Sequence, residues 1–426
     1  MGNMSESRIQ RFVVASANFG GGARVVPAAG GGTMDRAEAV ADFIAAPSGD
    51  LAIDALPLVA ACQEMSRLLK PPLDYPTLIA RRFAQAGCPL DEYYVPTVTT
   101  EWYPLSKKWQ PLWDAGIQAI EQGMWTCARN ARLLAPWLDG PQDSQFKGRK
   151  LDLPVRELPA KCGASDRPPA DSRSQGAYYQ GNRDTEPRVA TAHGVCVTAT
   201  QISQFVFINV HLATLEAERA DSLKFAHSDQ AERSARRTHP EAARLRAIQL
   251  AVIRDFILEI AYTALKLPVI VAGDFNAGAQ SQELTSFMAD TFLTPVFHPD
   301  PGQCWQCGAH QPRGTDPLAY FTHPRSKEIL AKTPREVAVL TGMRDAADHP
   351  LSADECCAKC RAPFFTHKRN FGLLDNLLFT DSAKLANLKW KLAPALDPQR
   401  PTRGIRLDSY FSDHLPVWCR FAVEPC

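Results

Sequence analysis

Six short polar clusters stand at the ends of apolar, strand-like runs in this chain. In chain order they are Ala17-Asn18, Gln63-Glu64, Asn209-Val210-His211-Leu212, Gly273-Asp274-Phe275-Asn276, Asp375-Asn376 and Ser412-Asp413-His414. Hydrolysis of a phosphoester needs a hard divalent cation, an activated water, and groups that neutralise charge on the phosphoryl oxygens and the leaving group. Carboxylates, amides and imidazoles at separate strand ends meet those needs, so the pattern predicts metal-assisted phosphoester hydrolysis.

The metal-binding part of this prediction depends on isolated oxygen donors. Mg²⁺ is usually held by one or two carboxylates together with waters and substrate phosphate, not by a closed protein cage. Glu64 follows a buried apolar run and fits the cation ligand, and Asn18 fits a neutral partner for it. We therefore expect Mg²⁺, or Mn²⁺ in its place, at these two residues.

The remaining polar residues suit proton transfer and charge neutralisation. Asp274 and Asn276 are two residues apart, so in an extended chain their side chains share one side. The carboxylate could orient or deprotonate the attacking water while the amide holds a phosphoryl oxygen. His211 and His414 are donors for developing negative charge, and Asp375 could fix the tautomer of one imidazole.

Short buried strands and one long helix must position these residues. Apolar runs of strand length occupy residues 11–18, 58–63, 93–99, 194–200, 205–211, 267–272, 373–380 and 415–423. The second run, residues 58–63, is apolar enough for a strand buried on both faces, and residues 267–272 predict a further buried strand. We expect residues 194–200 and 205–211 to pair as a hairpin, because only four residues separate the two runs.

The clearest helix spans Glu241 to Leu265. One apolar face at helical spacing comprises Leu245, Ile248, Val252 and Phe256, and a second side carries Leu250, Ile253 and Ile257. The helix is therefore predicted to be well buried. Its arginines, Arg244, Arg246 and Arg254, are predicted to be solvated surface charges. Residues 75–86 predict a shorter helix.

Taken in order, the six clusters resemble those of the endonuclease/exonuclease/phosphatase superfamily, which includes deoxyribonuclease-like metal-dependent phosphoesterases. The resemblance spans residues 12–420. It implies one domain over residues 1–426 with an α/β (α+β) fold. That fold is a four-layered α/β sandwich in which two facing, mostly antiparallel sheets carry outer helices, and the active site lies at one open end.

The resemblance also implies which residues hold the catalytic cation. Glu64 would be the main Mg²⁺ ligand, with Asn18 nearby. Asp413 would contribute to the same metal site.

Catalytic roles follow from the same resemblance. Asp274 would be the base or the water-orienting group, and Asn276 would bind phosphate. His211 would stabilise or protonate the leaving oxygen. Asp375 would pair with His414.

Two segments depart from the pattern as insertions. Residues 136–190 are rich in Pro, Gly and Ser, and residues 302–367 are rich in Cys. The second insertion contains two C-x₂-C pairs, a spacing typical of closed structural zinc sites, formed by Cys304, Cys307, Cys357 and Cys360. Additional or substitute ligands are offered by Cys356, His310, His323 and His349.

Composition limits the class of protein. The 426 residues include 47 Lys+Arg and 46 Asp+Glu, a formal net charge of +1, which argues against a coat protein for nucleic acid. No run approaches the roughly 20 apolar residues of a membrane span. The polar N-terminus lacks a secretory apolar core, so the 12 cysteines indicate thiols or metal ligands and a cytoplasmic location.

Three functions remain open from the sequence. The leading one is a Mg²⁺-dependent phosphoesterase acting on phosphodiesters or phosphomonoesters, with a slight preference for a nuclease acting on DNA or RNA. A phosphatase or lipid phosphodiesterase of the same fold is the alternative. A non-catalytic, zinc-stabilised binding scaffold represents a different class.

Overall fold

The computed structural model describes part of the chain. The described residues are 9–19, 25–27, 33–35, 48, 54–68, 75–85, 90–99, 117–127, 132–133, 155–158, 188–197, 202–212, 240–279, 281–297, 374–396, 400, 402–405, 414 and 416–426. Asp413 and the predicted zinc ligands Cys304, Cys307, Cys357 and Cys360 lie outside them. The whole of the insertion predicted at 302–367 and most of the one at 136–190 also lie outside, so these predictions stay predictions.

Sixteen strands and three α-helices are seen in the described residues. The strands are β1 (Gln10–Asn18), β2 (Val25–Pro27), β3 (Thr33–Asp35), β4 (Leu58–Leu68), β5 (Leu90–Thr99), β6 (Ile117–Cys127), β7 (Arg132–Leu133), β8 (Val155–Leu158), β9 (Arg188–Cys196), β10 (Phe205–His211), β11 (Val269–Asp274), β12 (Leu293–Pro295), β13 (Asp375–Thr380), β14 (Trp390–Pro394), β15 (Arg403–Ile405) and β16 (Val417–Pro425). The helices are α1 (Tyr75–Gln85), α2 (Pro240–Phe256) and α3 (Gln282–Thr291). A π-helical turn, Ile257–Leu265, extends α2, and Ser382–Lys384 forms a short 3₁₀ turn.

Two seven-stranded sheets form the centre of the fold. Sheet 1 has the order β14-β16-β1-β4-β6-β5, with β15 also paired to β16. Sheet 2 has the order β12-β13-β11-β10-β9-β7, with β8 also paired to β9. Within these described strands each sheet contains one parallel pair, β1 with β4 and β10 with β11, and the other pairs are antiparallel. The predicted pair of mostly antiparallel sheets is confirmed.

The two sheets face each other across an apolar core. Phe12 and Val14 of β1 pack in one buried cluster with Phe205 and Phe207 of β10, and Phe12 stacks on Phe205 with ring centroids 4.9 Å apart. Because side chains alternate along a strand, every second residue of each central strand points into this core. The sandwich predicted from the resemblance is therefore present.

The opposite face of sheet 2 carries α2, its π-helical extension and α3. Leu250, Ile253 and Ile257 pack there against Val206 and Val271. The predicted helix is confirmed, but its most buried side is the one with Leu250, whereas Ile248 and Val252 are only partly buried. On sheet 1, α1 lies beside β4 and β5 with Ile79 and Phe83 buried, which supplies a further helical layer. None of the described helices is long and apolar enough to cross a membrane.

The face that lines the core changes from apolar to polar along the central strands. On β10 the inward residues run from Phe205 and Phe207 to Asn209 and His211, and on β11 Ile270 and Ala272 are followed by Asp274. Because β10 and β11 are parallel and His211 is in register with Asp274, the two polar ends meet at the same edge of sheet 2.

Close packing between β10 and β11 explains why a glycine, Gly273, precedes Asp274. Gly273 has φ +147°, and a Cβ atom there would lie 1.9 Å from the Val210 carbonyl oxygen. Only glycine fits this position without moving the neighbouring strand. The glycine thus lets Asp274 sit directly beside His211.

Candidate active site

Six of the eight predicted catalytic and Mg²⁺-binding residues meet at one edge of the sandwich. The carboxyl ends of β1, β10 and β11 carry three of them, the irregular part of β4 carries one, the amino end of β13 carries one, and one precedes β16. We call this group the edge cluster: Asn18, Glu64, His211, Asp274, Asp375 and His414. Sheet 1 contributes three members and sheet 2 the other three, so the cluster exists only when the sheets face each other.

Asp274 is the most connected residue of the edge cluster. Its Oδ2 accepts a hydrogen bond from Asn18 Nδ2 at 3.1 Å and lies 3.5 Å from His211 Nε2 and 3.6 Å from His414 Nε2. Its Oδ1 accepts from the Asn276 backbone N–H at 2.8 Å. The carboxylate is buried, and both imidazoles present their Nε2 atoms to one oxygen. This arrangement favours proton exchange between a carboxylate and two imidazoles.

His414 and Asp375 form a buried pair across the two sheets. His414 Nδ1 lies 2.9 Å from Asp375 Oδ2. An ionised carboxylate can only accept, so the ring must carry a proton on Nδ1 and direct Nε2 towards Asp274. The pairing predicted from the sequence is therefore present in the geometry, and it fixes the orientation of the ring.

Glu64 offers the more accessible carboxylate of the edge cluster, with 26% of its side chain exposed. It was predicted to follow a strand, but it lies within β4, at an irregularity in the pairing with β6 that makes the strand bend. It adopts φ 54°, a left-handed conformation that is unusual for glutamate. Its Oε1 lies 3.3 Å from Asn18 Nδ2 and 3.5 Å from His211 Nε2. The bend therefore turns the carboxylate towards Asn18 and sheet 2.

The donor set fits a hard divalent cation. Glu64 offers a carboxylate, a ligand that Mg²⁺ and Mn²⁺ prefer, and Asn18 Nδ2 donates to it at 3.3 Å. Asp274, Asp375 and His414 form another possible metal-binding group. Each offers one ligand atom, and these three atoms lie within 4.8 Å of one another. Asp375 and His414 already bond each other at 2.9 Å.

Asn276 has a position different from the extended one expected beside Asp274. It adopts φ 50° and is 2% exposed, and its Nδ2 donates to the Leu212 carbonyl at 2.8 Å. Its amide thus ties the turn after β11 to the end of β10. Its predicted contact with a phosphoryl oxygen stays a prediction.

The prediction that Arg246 is a solvated surface charge is wrong. Its guanidinium is buried and donates to Glu283 Oε1 from Nε at 2.8 Å and from Nη2 at 2.6 Å. Burial lowers the pKa of Arg246, and the negative charges of Glu283 and Asp274 oppose that change. The carboxylate partner lies on α3, 37 residues away, so helical spacing alone did not reveal it. Arg244 is exposed as predicted.

Removing one member of this ion pair should destabilise the protein strongly. Arg246→Met is expected to lower the free energy of unfolding by about 3–5 kcal/mol, because the Glu283 charge would remain buried without its cation. Urea unfolding followed by fluorescence and circular dichroism measures the change. Arg244→Met, on the exposed side of the same helix, should cost under about 0.5 kcal/mol. Equal losses in the two variants would contradict the ion-pair explanation.

Two further features escaped sequence analysis. Gln122 is a buried glutamine on β6, a strand that the sequence pattern did not predict, and its Nε2 donates to the Asn209 carbonyl at 2.8 Å. The thiol of Cys62 lies next to the Gln63-Glu64 motif. Burial raises its pKa well above the ordinary value, so the thiol stays protonated at neutral pH.

The overall structure is similar to several solved proteins. It matches the catalytic domain of human Nocturnin with bound sulfate at 14% identity and a TM-score of 0.44, over 96% of this chain and 94% of that one. It matches an endonuclease/exonuclease/phosphatase family protein from Bacteroides thetaiotaomicron at 10% identity and a TM-score of 0.41, over 97% and 96%. It matches D. rerio TDP2, complexed with a single-strand DNA product, at 12% identity and a TM-score of 0.42, over 96% and 98%.

The chain is similar to endonuclease/exonuclease/phosphatase family proteins. No family model matches the chain, and no curated protein matches it significantly. The likeness is one of overall architecture.

Proposed function

We propose that this protein is a divalent-metal-dependent phosphoesterase that hydrolyses its substrate by in-line attack of water. The observation that supports it best is the sharing of Asp274 Oδ2 by Asn18 and the two imidazoles. A carboxylate held by an amide and flanked by two proton carriers is suited to orient or deprotonate water. A purely structural ion pair would not need two histidines directed at one oxygen.

The proposed roles follow from the contacts. Asp274 orients or deprotonates the attacking water. His211, beside both Asp274 and Glu64, stabilises or protonates the leaving oxygen. His414, held by Asp375, donates to a phosphoryl oxygen through Nε2 and stabilises the charge that develops there.

We assign the catalytic cation to Glu64, with Asn18 beside it and Asp413 as a further ligand. Mg²⁺ is the expected ion and Mn²⁺ its substitute. When bound, such a cation polarises a phosphoryl oxygen and neutralises developing negative charge. Asn18 restrains the Glu64 carboxylate through the bond from Nδ2 to Oε1 at 3.3 Å.

Nucleic acid is the proposed substrate class. The near-zero net charge rules out broad electrostatic capture, so recognition would depend on local groups around the edge cluster. The alternative substrates are phosphomonoesters and lipid phosphodiesters.

A substrate panel tests this proposal. Purified protein is supplied with Mg²⁺ and assayed on plasmid DNA, RNA, bis-p-nitrophenyl phosphate and inositol phosphates, with Asp274→Ala as the control. We expect turnover above the variant on at least one substrate, loss of it in EDTA, and recovery with Mg²⁺ or Mn²⁺. Turnover equal to that of the variant on every substrate would reject the enzyme and favour a binding scaffold.

Two other assignments are also proposals. Cys304, Cys307, Cys357 and Cys360 would hold a structural Zn²⁺ that orders the Cys-rich insertion, and the protein would act in the cytoplasm. Metal analysis that found no stoichiometric zinc would contradict the first. Fractionation of the native cell that placed the protein in another compartment would contradict the second.

A further inference from the structure

A layer of uncharged polar side chains lies one step inward from the edge cluster. We call it the polar layer; it comprises Ser16, Gln63, Gln122 and Asn209, each at most 1% exposed. Its members lie between the apolar core and the edge cluster, on β1, β4, β6 and β10. Buried amides are costly unless they are hydrogen-bonded, so the partners of this layer matter for the geometry above it.

Asn209 is the centre of the polar layer, and its whole amide group is engaged. Nδ2 donates to the carbonyls of Cys62 at 3.1 Å and of Gly123 at 2.8 Å. Oδ1 accepts from Gln63 Nε2 at 2.7 Å, and the Asn209 backbone carbonyl accepts from Gln122 Nε2 at 2.8 Å. Asn209 belongs to sheet 2 and all four partners belong to sheet 1, so this residue connects the two sheets.

The connection is made at the place where β4 departs from regular pairing. Cys62 and Gly123 form the last regular pair of β4 and β6 before the irregularity that contains Gln63 and Glu64. The positive φ of Glu64 is a strained conformation, which persists only where the surroundings impose it. Asn209 bonds the backbone of Cys62 and the side chain of Gln63, the two residues directly before Glu64.

The same residue also lies close to a second member of the edge cluster. His211 follows Asn209 by two positions on β10, so both side chains point to the space between the sheets. His211 Nε2 lies 3.5 Å from Glu64 Oε1. A change at Asn209 would therefore alter the distance between a carboxylate on sheet 1 and an imidazole on sheet 2.

We infer that Asn209, assisted by Gln63, is a positioning residue that holds the bend of β4 against sheet 2 and thereby places the Glu64 carboxylate for its cation. This inference depends on the proposed assignment of the cation to Glu64. An asparagine is required because the site needs two N–H donors and one acceptor in one plane. Aspartate, leucine and serine each lack part of that set.

Binding of Mn²⁺ to the full-length protein tests this inference without requiring activity. The free Mn²⁺ signal in electron paramagnetic resonance is titrated for wild type, Glu64→Gln and Asn209→Ala. Glu64→Gln identifies the site, and Asn209→Ala should weaken binding at that site by about 10-fold or more, as loss of an outer-shell partner does. Phe207→Leu is the matched control, since it lies on the same strand and face but in the apolar core.

The outcomes separate this inference from the proposed function. Mn²⁺ binding by folded Asn209→Ala within twofold of Phe207→Leu would overturn the positioning role and leave the cation assignment intact. Unchanged binding in Glu64→Gln would overturn the cation assignment and, with it, this inference. If Asn209→Ala does not fold, Gln63→Met replaces it. That variant removes the 2.7 Å bond to Asn209 and the longer, 3.5 Å bond to Ser16 Oγ, and leaves the other bonds of Asn209 in place. It should weaken Mn²⁺ binding by several-fold, and unchanged binding would overturn the inference.

Discussion

Asp274→Asn is expected to lower turnover on the protein's best substrate by roughly 10³-fold, within the range for loss of a general base. The Asn276 backbone N–H donates to Oδ1, so the amide oxygen of the variant would keep that position. Its NH₂ group would then replace Oδ2 and face the NH₂ of Asn18 and both imidazoles. The variant would lose the base and gain a repulsive contact. Steady-state kinetics with saturating Mg²⁺ measures the effect.

Two controls accompany this variant. Asp290→Asn changes an exposed carboxylate on α3 and should leave turnover unaltered. Thermal unfolding should show that Asp274→Asn remains folded. A folded Asp274→Asn protein with at least a tenth of wild-type turnover would show that Asp274 is not the group that activates water.

Asp375→Asn is expected to lower turnover by roughly 10²-fold or more, as loss of a group that supports one charge-stabilising donor does. Asparagine can occupy the same space, but it cannot stabilise a positively charged His414 ring from the 2.9 Å position of Asp375 Oδ2. Because Asp375 acts through His414, the two residues should behave as a unit. The double variant Asp375→Asn/His414→Ala should therefore be no slower than His414→Ala alone.

The matched control for this prediction lies just beyond the other end of β13. Asp381→Asn replaces a partly exposed carboxylate that caps the short 3₁₀ turn, and asparagine caps as well as aspartate. Its turnover should equal that of the wild type. Wild-type turnover in Asp375→Asn would show that Asp375 does not orient His414.

The ends of the central strands could be predicted from the sequence because their composition changes there. β1, β10 and β11 each consist of a short apolar run followed by a polar motif, and the structure has strands at all three places. By contrast, β6 escaped prediction because its sequence, IQAIEQGMWTC, mixes buried polar and apolar residues. Its inward Gln122 bonds Asn209, a contact 87 residues away along the chain.

Contacts between residues that are distant in the sequence could be predicted only in part. The pair of Asp375 and His414 was expected only through the resemblance to a family, because the residues are 39 positions apart. Arg246 was misjudged because the sequence does not show that Glu283, on another helix, covers its charge. A buried ion pair depends on two elements packing together, and helical spacing on one of them contains no information about the other.

By itself, the sequence determined which residues can do chemistry and that Asn18, His211 and Asp274 stand at strand ends, since local apolar runs and polar motifs are properties of neighbouring residues. The tertiary structure alone decided that Asn18, His211 and His414 all approach one oxygen, Asp274 Oδ2. It also decided that Asn209 connects the two sheets next to Glu64. The physical reason is that these contacts join residues far apart in the chain, and that those from Asn18 and His414 to Asp274, like those of Asn209, cross from one sheet to the other. Distances between the sheets are set by the packing of the apolar core, which arises only when the whole chain folds.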